Sequence, residues 1–410
     1  MILRQLLIRR NVITHMAIAL VGILMLPARD RSEPDRQYFF LNAHHALYNE
    51  PVIWETFGPQ DTCRLSIGDA ILIYLFEHPI TDYKPVLEKH FSLAEEHRIP
   101  VLVEMDPISF MNDAPELWNW FDPSLPGYNP DNRENVEWYD WGSEHAVRIG
   151  WLNWGRQIRL RPMINLFSPD YQSAVRERVD SIMTWTSAWY KSLPKKDRWL
   201  LCGVKITGEL AFGINNWYYP DGNSYADKDP SEDPTTSIQL DVLPDRTAAQ
   251  IGYAALTYMG RKNSGEVTAE DIYAIEKEYA RFIADLVQGY GIPRERLFSH
   301  AGGRHGDLDA AIQPGTCPSW TFYWEEAMDP GVMPQITDYL PLSDAPYWGC
   351  AEWNIGDQPR SGWEEALENT FSIPRCRFAT LFNFDFIYRP DSTGRIRPNP
   401  NAVAALKARM

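Results

Sequence analysis

The sequence predicts an α/β fold, a (β/α)8 (TIM) barrel with long βα loops, and two observations carry that reading. Short runs of aliphatic and aromatic residues alternate along the chain with longer stretches of helical periodicity, the signature of βαβ units and a parallel sheet. Two of the short runs lead into a glutamate, Glu209 and Glu352. The carboxyl ends of strands are where a parallel barrel gathers its chemistry. The length of 410 residues suits one barrel with extended loops.

Residues 1–30 stand apart. Arg4, Arg9 and Arg10 precede a mostly apolar stretch over 12–26, after which Pro27-Ala28-Arg29-Asp30 turns polar. This is the layout of a secretory signal, and the apolar run is short for a membrane span. Export to the periplasm or the cell exterior is the expectation, with an uncleaved anchor as its alternative. The barrel is expected over residues 31–410.

Within it, residues 38–41 read as the first strand and 70–76 as the second. Residues 83–97 carry Val86, Leu87, Phe91, Leu93 and Ala94 at helical spacing and lead into a third strand over 101–105. A helix over 171–190, a strand over 200–206, a helix over 269–290 and a strand over 296–299 repeat the pattern. Strands over 319–323, 346–351 and 377–386, with a closing helix over 401–410, bring the count near eight. Insertions over 112–162 and 215–265, rich in Trp, Tyr, Pro, Asn and Asp, follow the third and fourth strands. Loops of that length overhang the functional face of a barrel.

A net charge of −16, with no basic run after the first dozen residues, disfavours a nucleic-acid partner. The 16 Trp, 20 Tyr and 17 Phe can fill a core and still line a cleft. Five scattered cysteines show no metal-binding spacing, and Cys202, Cys350 and Cys376 lie in apolar runs as small buried hydrophobes. His44 and His45 are adjacent, so both cannot point inward from one strand, and His300 and His305 are separated by a loop. Neither a metal nor a cofactor is expected.

Glu209 follows Gly208, which lets the backbone turn out of the strand and present the carboxyl. Trp217, Tyr218 or Tyr219 could desolvate it and raise its proton affinity. Glu352 sits between Trp348-Gly349-Cys350-Ala351 and Trp353-Asn354, a setting that a solvated glutamate rarely occupies. A rim salt bridge for Glu209 and a buried structural carboxylate for Glu352 are the plain alternatives. Two carboxylates facing across a barrel mouth are the minimum machinery for cleaving a glycosidic bond.

A glutamate after the fourth strand and another before the final strand resembles the retaining glycoside hydrolases of clan A. That resemblance implies Glu209 as acid/base and Glu352 as nucleophile, acting on a β-linked glycoside. The departure is Gly208, where most members have an Asn that contacts the sugar 2-hydroxyl. The Gly208-Glu209-Leu210 triplet is also similar to the segment around the catalytic acid of β-amylases, which invert configuration. A carbohydrate is the expected partner. His44, Asp106, His300 and Asn383 are candidates to bond its hydroxyls, and Trp324, Trp348 and Trp353 to stack on its C–H faces. An exported sugar-binding barrel without catalysis is the competing reading.

Overall fold

The computed structural model describes residues 36–44, 50–148, 150–153, 157–210, 212, 250–302, 308–382, 386–390, 392 and 396–410. Eight strands are hydrogen-bonded into a closed barrel: β1 (Gln37–His44), β2 (Leu65–Tyr74), β3 (Val101–Asp106), β4 (Leu201–Lys205), β5 (Leu297–Ala301), β6 (Cys317–Tyr323), β7 (Trp348–Asn354) and β8 (Cys376–Phe382). Each pairs in parallel with the strands before and after it, and β8 closes on β1.

The helices follow the expected alternation where they are long. α1 (Glu50–Phe57) and α2 (Ile80–His97) flank β2, and α3 (Pro169–Ser192) precedes β4. α4 (Ala269–Leu286) precedes β5, α5 (Arg360–Ser372) separates β7 from β8, and α6 (Pro400–Arg409) closes the chain. Ser168 caps α3 ahead of Pro169, and Thr268 with Asp271 forms a capping box on α4. Between β5 and β6 the only described helix is one turn, Leu308–Ala311. Among the described residues no helix is long and apolar enough to cross a membrane.

A layer of phenylalanines fills the barrel. The ring of Phe298 on β5 meets that of Phe378 on β8 edge to face at 4.8 Å, and Phe378 meets Phe40 on β1 at 6.1 Å. Strands β5 and β8 are not neighbours, so these rings touch through the interior. Gly68, Gly203 and Gly349 lie against them: a Cβ would come within 2.5 Å of a Phe40 ring carbon, 2.8 Å of one of Phe298 and 2.4 Å of one of Phe378, and at Gly68 and Gly203 it would also meet the backbone oxygens of Pro100 and Arg296. Large and small side chains from alternate strands thus interlock, as a packed barrel requires.

β2 starts five residues earlier than the apolar pattern suggests. Its first half carries Ser66, Gly68 and Asp69, and the buried Asp69 sets Oδ2 2.9 Å from Nδ1 of His90 on α2. The insertion after β3 holds an antiparallel hairpin, Gly150–Asn153 with Gln157–Leu160. It is tied to the segment after β4 through Glu137, whose buried carboxylate accepts the backbone N–H groups of Gly252 (2.9 Å) and Ala255 (3.1 Å). Burial pushes that carboxyl up to about 8 despite those donors. Cys202, Cys317, Cys350 and Cys376 are buried, as their apolar surroundings in the sequence suggest for Cys202, Cys350 and Cys376.

Candidate active site

Side chains alternate along each strand, so the interior face can be followed upward from the phenylalanine layer toward the carboxyl ends. Glu104 of β3 comes next, accepting from Asn42 Nδ2 of β1 at 2.6 Å and pairing with Lys205 Nζ of β4 at 3.3 Å. All three are buried. Burial raises the Glu104 carboxyl to about 7, outweighing the Lys205 ammonium, and the Glu352 charge raises it further. A buried ionic layer therefore lies beneath the mouth.

Asp106, two residues further along β3, uses both oxygens on its own turn. Oδ1 accepts from the N–H of Ile108 and of Ser109, both at 2.9 Å, and Oδ2 accepts from the Ser109 hydroxyl. Its carboxyl lies against Gly208, where a Cβ would come within 2.6 Å of Asp106 Cγ. This is the physical reason for glycine ahead of Glu209: the volume a larger side chain would take is already filled.

Glu209 lies past the end of β4 and leans over β5, where a Cβ at Gly302 would sit 2.9 Å from Glu209 Cγ. Its Oε1 accepts from Thr321 Oγ1 of β6 at 3.5 Å. Glu352 is placed differently from expectation, inside β7 rather than beyond it. Gly349 faces the interior, so strict alternation would turn Ala351 and Trp353 inward. The register instead slips: Trp320 pairs with Cys350 but Thr321 with Glu352, and Ala379 pairs with Cys350 while Leu381 pairs with Trp353. A β-bulge at Ala351 thus turns Glu352 into the barrel and Trp353 out of it. There Glu352 Oε2 accepts the Tyr323 phenol of β6. Tyr74, at the end of β2, stands among these carboxylates, and burial followed by the charges of Asp106 and Glu352 raises its phenol.

The other residues named from sequence divide by location. Trp324, directly after β6, is 57% exposed and sits in a left-handed backbone conformation (φ 56°, ψ −119°), held by its N–H to Asn354 O at 2.7 Å. It fits the stacking role. Trp348 and Trp353 do not. Trp348 begins β7, at the end of the barrel away from the mouth, is fully buried and donates to Pro374 O. Trp353 faces out of the barrel onto Phe39 and Trp363, also fully buried. A ring with no exposed face cannot stack on a sugar. His300 on β5 is likewise buried, its Nε2 2.9 Å from Thr321 Oγ1. His44 ends β1 beside Leu72. Asn383, His45, His305 and the aromatics Trp217, Tyr218 and Tyr219 lie outside the described residues.

Thr321 and Tyr323 escaped the reading of the sequence, although a signal was there. Ser319, Thr321 and Tyr323 alternate along one strand, and polar groups at every second position of a barrel strand mark its inner face near the mouth. Among the described residues no three His, Cys, Asp or Glu side chains converge as metal ligands would.

No family model matches the chain, and no curated protein is similar to it in sequence. Among solved structures it is similar to the catalytic domain of β-amylase from Paenibacillus polymyxa, at 9% identity and a TM-score of 0.48 over 92% of this chain and 98% of that one. An exo-β-1,4-mannosidase from Opitutaceae bacterium strain TAV5 matches at 10% identity and 0.43, over 92% and 62%. A glycoside hydrolase family 5 enzyme from Prevotella bryantii B14 matches at 10% and 0.40, over 83% and 82%. Identities this low assign neither a family nor an activity, and the barrel stands on its strand pairing.

Proposed function

We propose that this protein is a glycoside hydrolase that cleaves a β-linked glycoside by a retaining, two-carboxylate mechanism. The observation that carries the reading is the convergence of Glu209 and Glu352 on one strand: each accepts a hydrogen bond from the inner face of β6, Glu209 from Thr321 and Glu352 from Tyr323. The bulge that turns Glu352 inward supports it, because bulges of this kind re-aim side chains at functional sites.

In the first step a Glu352 carboxylate oxygen attacks the anomeric carbon while Glu209 gives its proton to the departing glycosidic oxygen. The bond from carbon to that oxygen breaks, an alcohol leaves, and the sugar remains as an ester on Glu352. In the second step Glu209, now ionised, takes a proton from a water whose oxygen attacks the same carbon and displaces Glu352. Atoms and charge return to the starting state. The Tyr323 phenol on Oε2 orients the Glu352 carboxylate for attack. Trp324 offers the flat exposed surface on which a pyranose C–H face can rest. Retention and the β linkage rest on the resemblance of the glutamate pair to clan A enzymes. Export belongs to the same reading, supported by Arg4, Arg9 and Arg10 ahead of the apolar run.

The test is hydrolysis of a panel of aryl β- and α-glycosides by the full chain, beside the Glu209→Gln/Glu352→Gln double variant, with the anomer of the first product followed by proton NMR. Turnover of a β-glycoside that the variant loses, with the β-anomer released first, is the expected result. Release of the opposite anomer would make the enzyme inverting. Equal residual rates in parent and variant would leave a sugar-binding barrel.

A further inference from the structure

Two side chains from neighbouring strands stand in a row behind Glu209. His300 Nε2 on β5 lies 2.9 Å from Thr321 Oγ1 on β6, which lies 3.5 Å from Glu209 Oε1. His300 and Thr321 are buried, while Glu209 is partly exposed at the mouth. The backbone of β5 is held in place as well, since the Thr207 hydroxyl donates to His300 O (3.0 Å) and accepts from His300 N–H (2.8 Å).

Proton counting gives this row a direction. An ionised carboxylate only accepts, and a hydroxyl has one proton. If Thr321 donates to Glu209, it must accept from His300, so the ring proton sits on Nε2 and Nδ1 is a bare lone pair. His300 Nδ1 has no hydrogen-bond partner among the described residues. The opposite tautomer would direct the hydroxyl proton to Nε2, set two oxygen lone pairs facing each other at Glu209, and bury an N–H on Nδ1 with nothing to accept it. A buried N–H without an acceptor costs more than a bare lone pair, which favours the first arrangement. Burial, reinforced by the Lys205 ammonium, lowers the proton affinity of the ring well below the usual histidine range, so it stays neutral.

We propose that His300 is a positioning residue for Glu209: as the Nε2–H tautomer it turns the Thr321 hydroxyl proton toward Oε1 of the catalytic carboxyl. The proposal rests on the reading of Glu209 as acid/base. It moves His300 from the sugar, which the sequence suggested, to the carboxylate. Charged groups near this row include Lys205, which acts on the His300 ring, its partner Glu104, Asp106 against Gly208, and Glu352 bonded to Tyr323 two residues from Thr321.

A donor on Oε1 stabilises the ionised carboxylate, so its removal raises the proton affinity of Glu209. The experiment uses the full chain labelled with 15N-histidine and with 13C at glutamate carboxyls, as the parent and as Thr321→Val, His300→Phe, His300→Gln and the His300→Phe/Thr321→Val double variant. The His300 and Glu209 signals are identified by their loss in His300→Phe and Glu209→Gln. The parent is expected to show an Nε2–H tautomer for His300 at neutral pH. Thr321→Val is expected to raise the Glu209 titration midpoint by roughly one unit. His300→Phe should raise it comparably, the double variant no further than Thr321→Val, and His300→Gln, whose amide can still donate, should keep the parent value. The alkaline limb of kcat/KM should follow the same displacements.

An Nδ1–H tautomer, an unmoved midpoint in Thr321→Val, or fully additive shifts in the double variant would overturn the proposal. Loss of turnover in the parent itself is a separate result that sinks the hydrolase reading, because tautomer and midpoint are read without substrate.

Discussion

Thr321 and Tyr323, two residues apart on one face of β6, each bond a different glutamate: Thr321 reaches Glu209 on one side and Tyr323 reaches Glu352 on the other. A single strand thereby sets both carboxylates, although they come from β4 and β7 and neither is bonded to the other in the described structure. Strand rise is about 3.3 Å per residue, so the backbones of the two residues are about 6.6 Å apart along β6. Any shift of this strand would move both glutamates together.

Removing one donor should therefore separate the two roles. Tyr323→Phe keeps the ring and deletes the phenol that Glu352 accepts. A hydrogen bond to a charged group is worth about 1.5–3 kcal/mol. If it is held throughout the reaction path, kcat/KM should fall by about ten- to a hundredfold. Steady-state rates on the best aryl glycoside, with circular dichroism to confirm the fold, measure this. An unchanged rate would mean that the phenol plays no part in setting Glu352.

The ionic layer below the mouth makes a prediction about stability. Glu104 is buried, and its carboxyl is raised to about 7 from 4.5, first by desolvation and with Glu352 adding to the effect. A carboxyl whose folded value lies above its unfolded value contributes stability that is complete below about 4.5 and lost as pH rises through about 7. Urea unfolding midpoints should accordingly decline between about pH 5 and about pH 8, and Glu104→Gln should flatten that decline. Lys205→Met should instead destabilise the protein by about 3–5 kcal/mol, because it leaves Glu104 buried without its cation. The double variant Glu104→Gln/Lys205→Met should recover most of that loss.

Gly208 is explained by Asp106. Adding even a methyl group would place a Cβ within 2.6 Å of the Asp106 carboxyl carbon, which is itself tied to Ile108 and Ser109. Gly208→Ala should cost about 1–3 kcal/mol, as overpacking does. Asp106→Ala/Gly208→Ala should cost less than the two single changes summed, a coupling that thermal unfolding of the four proteins would read directly. Simple additivity would show that the two positions do not contend for the same space.

How much of this was legible in the chain depends on what each strand buries. β3 opens on an apolar run ahead of Glu104 and Asp106, β4 is apolar up to Lys205, and both are readable from Val101-Leu102-Val103 and Leu200-Leu201-Cys202. The first half of β2 was hidden because the buried Asp69 is met by His90 from the following helix, and no local pattern reports a partner twenty-one positions away. Glu209 and Glu352 stand out in the chain because apolar runs lead into them, and the structure sets Glu209 past the end of β4 but Glu352 within β7. The bulge at Ala351 does not stand out, and its omission led Trp353 to be assigned to the cleft when it faces the helical layer. Periodicity assigns a face only until a strand gains a residue. Thr321 and Tyr323 could have been found by applying the same alternation to β6.

Trp324 combines two properties that a core residue would not. It is 57% exposed, and its backbone (φ 56°, ψ −119°) occupies a region that bulky side chains rarely adopt, with the indole so close to Gly356 that a Cβ there would lie 2.6 Å from Cζ3. Such strain costs about 1–3 kcal/mol and persists where the surrounding structure imposes it. Trp324→Gly should relieve the strain while sacrificing little buried area, so the melting temperature should hold or rise. If the indole is a sugar platform, the same change should raise KM by about threefold to tenfold, the range of one aromatic contact, with a smaller effect on kcat. A variant both less stable and unaltered in KM would assign Trp324 to packing. A variant as stable as the parent but weaker for substrate would show that the strained conformation is retained for binding.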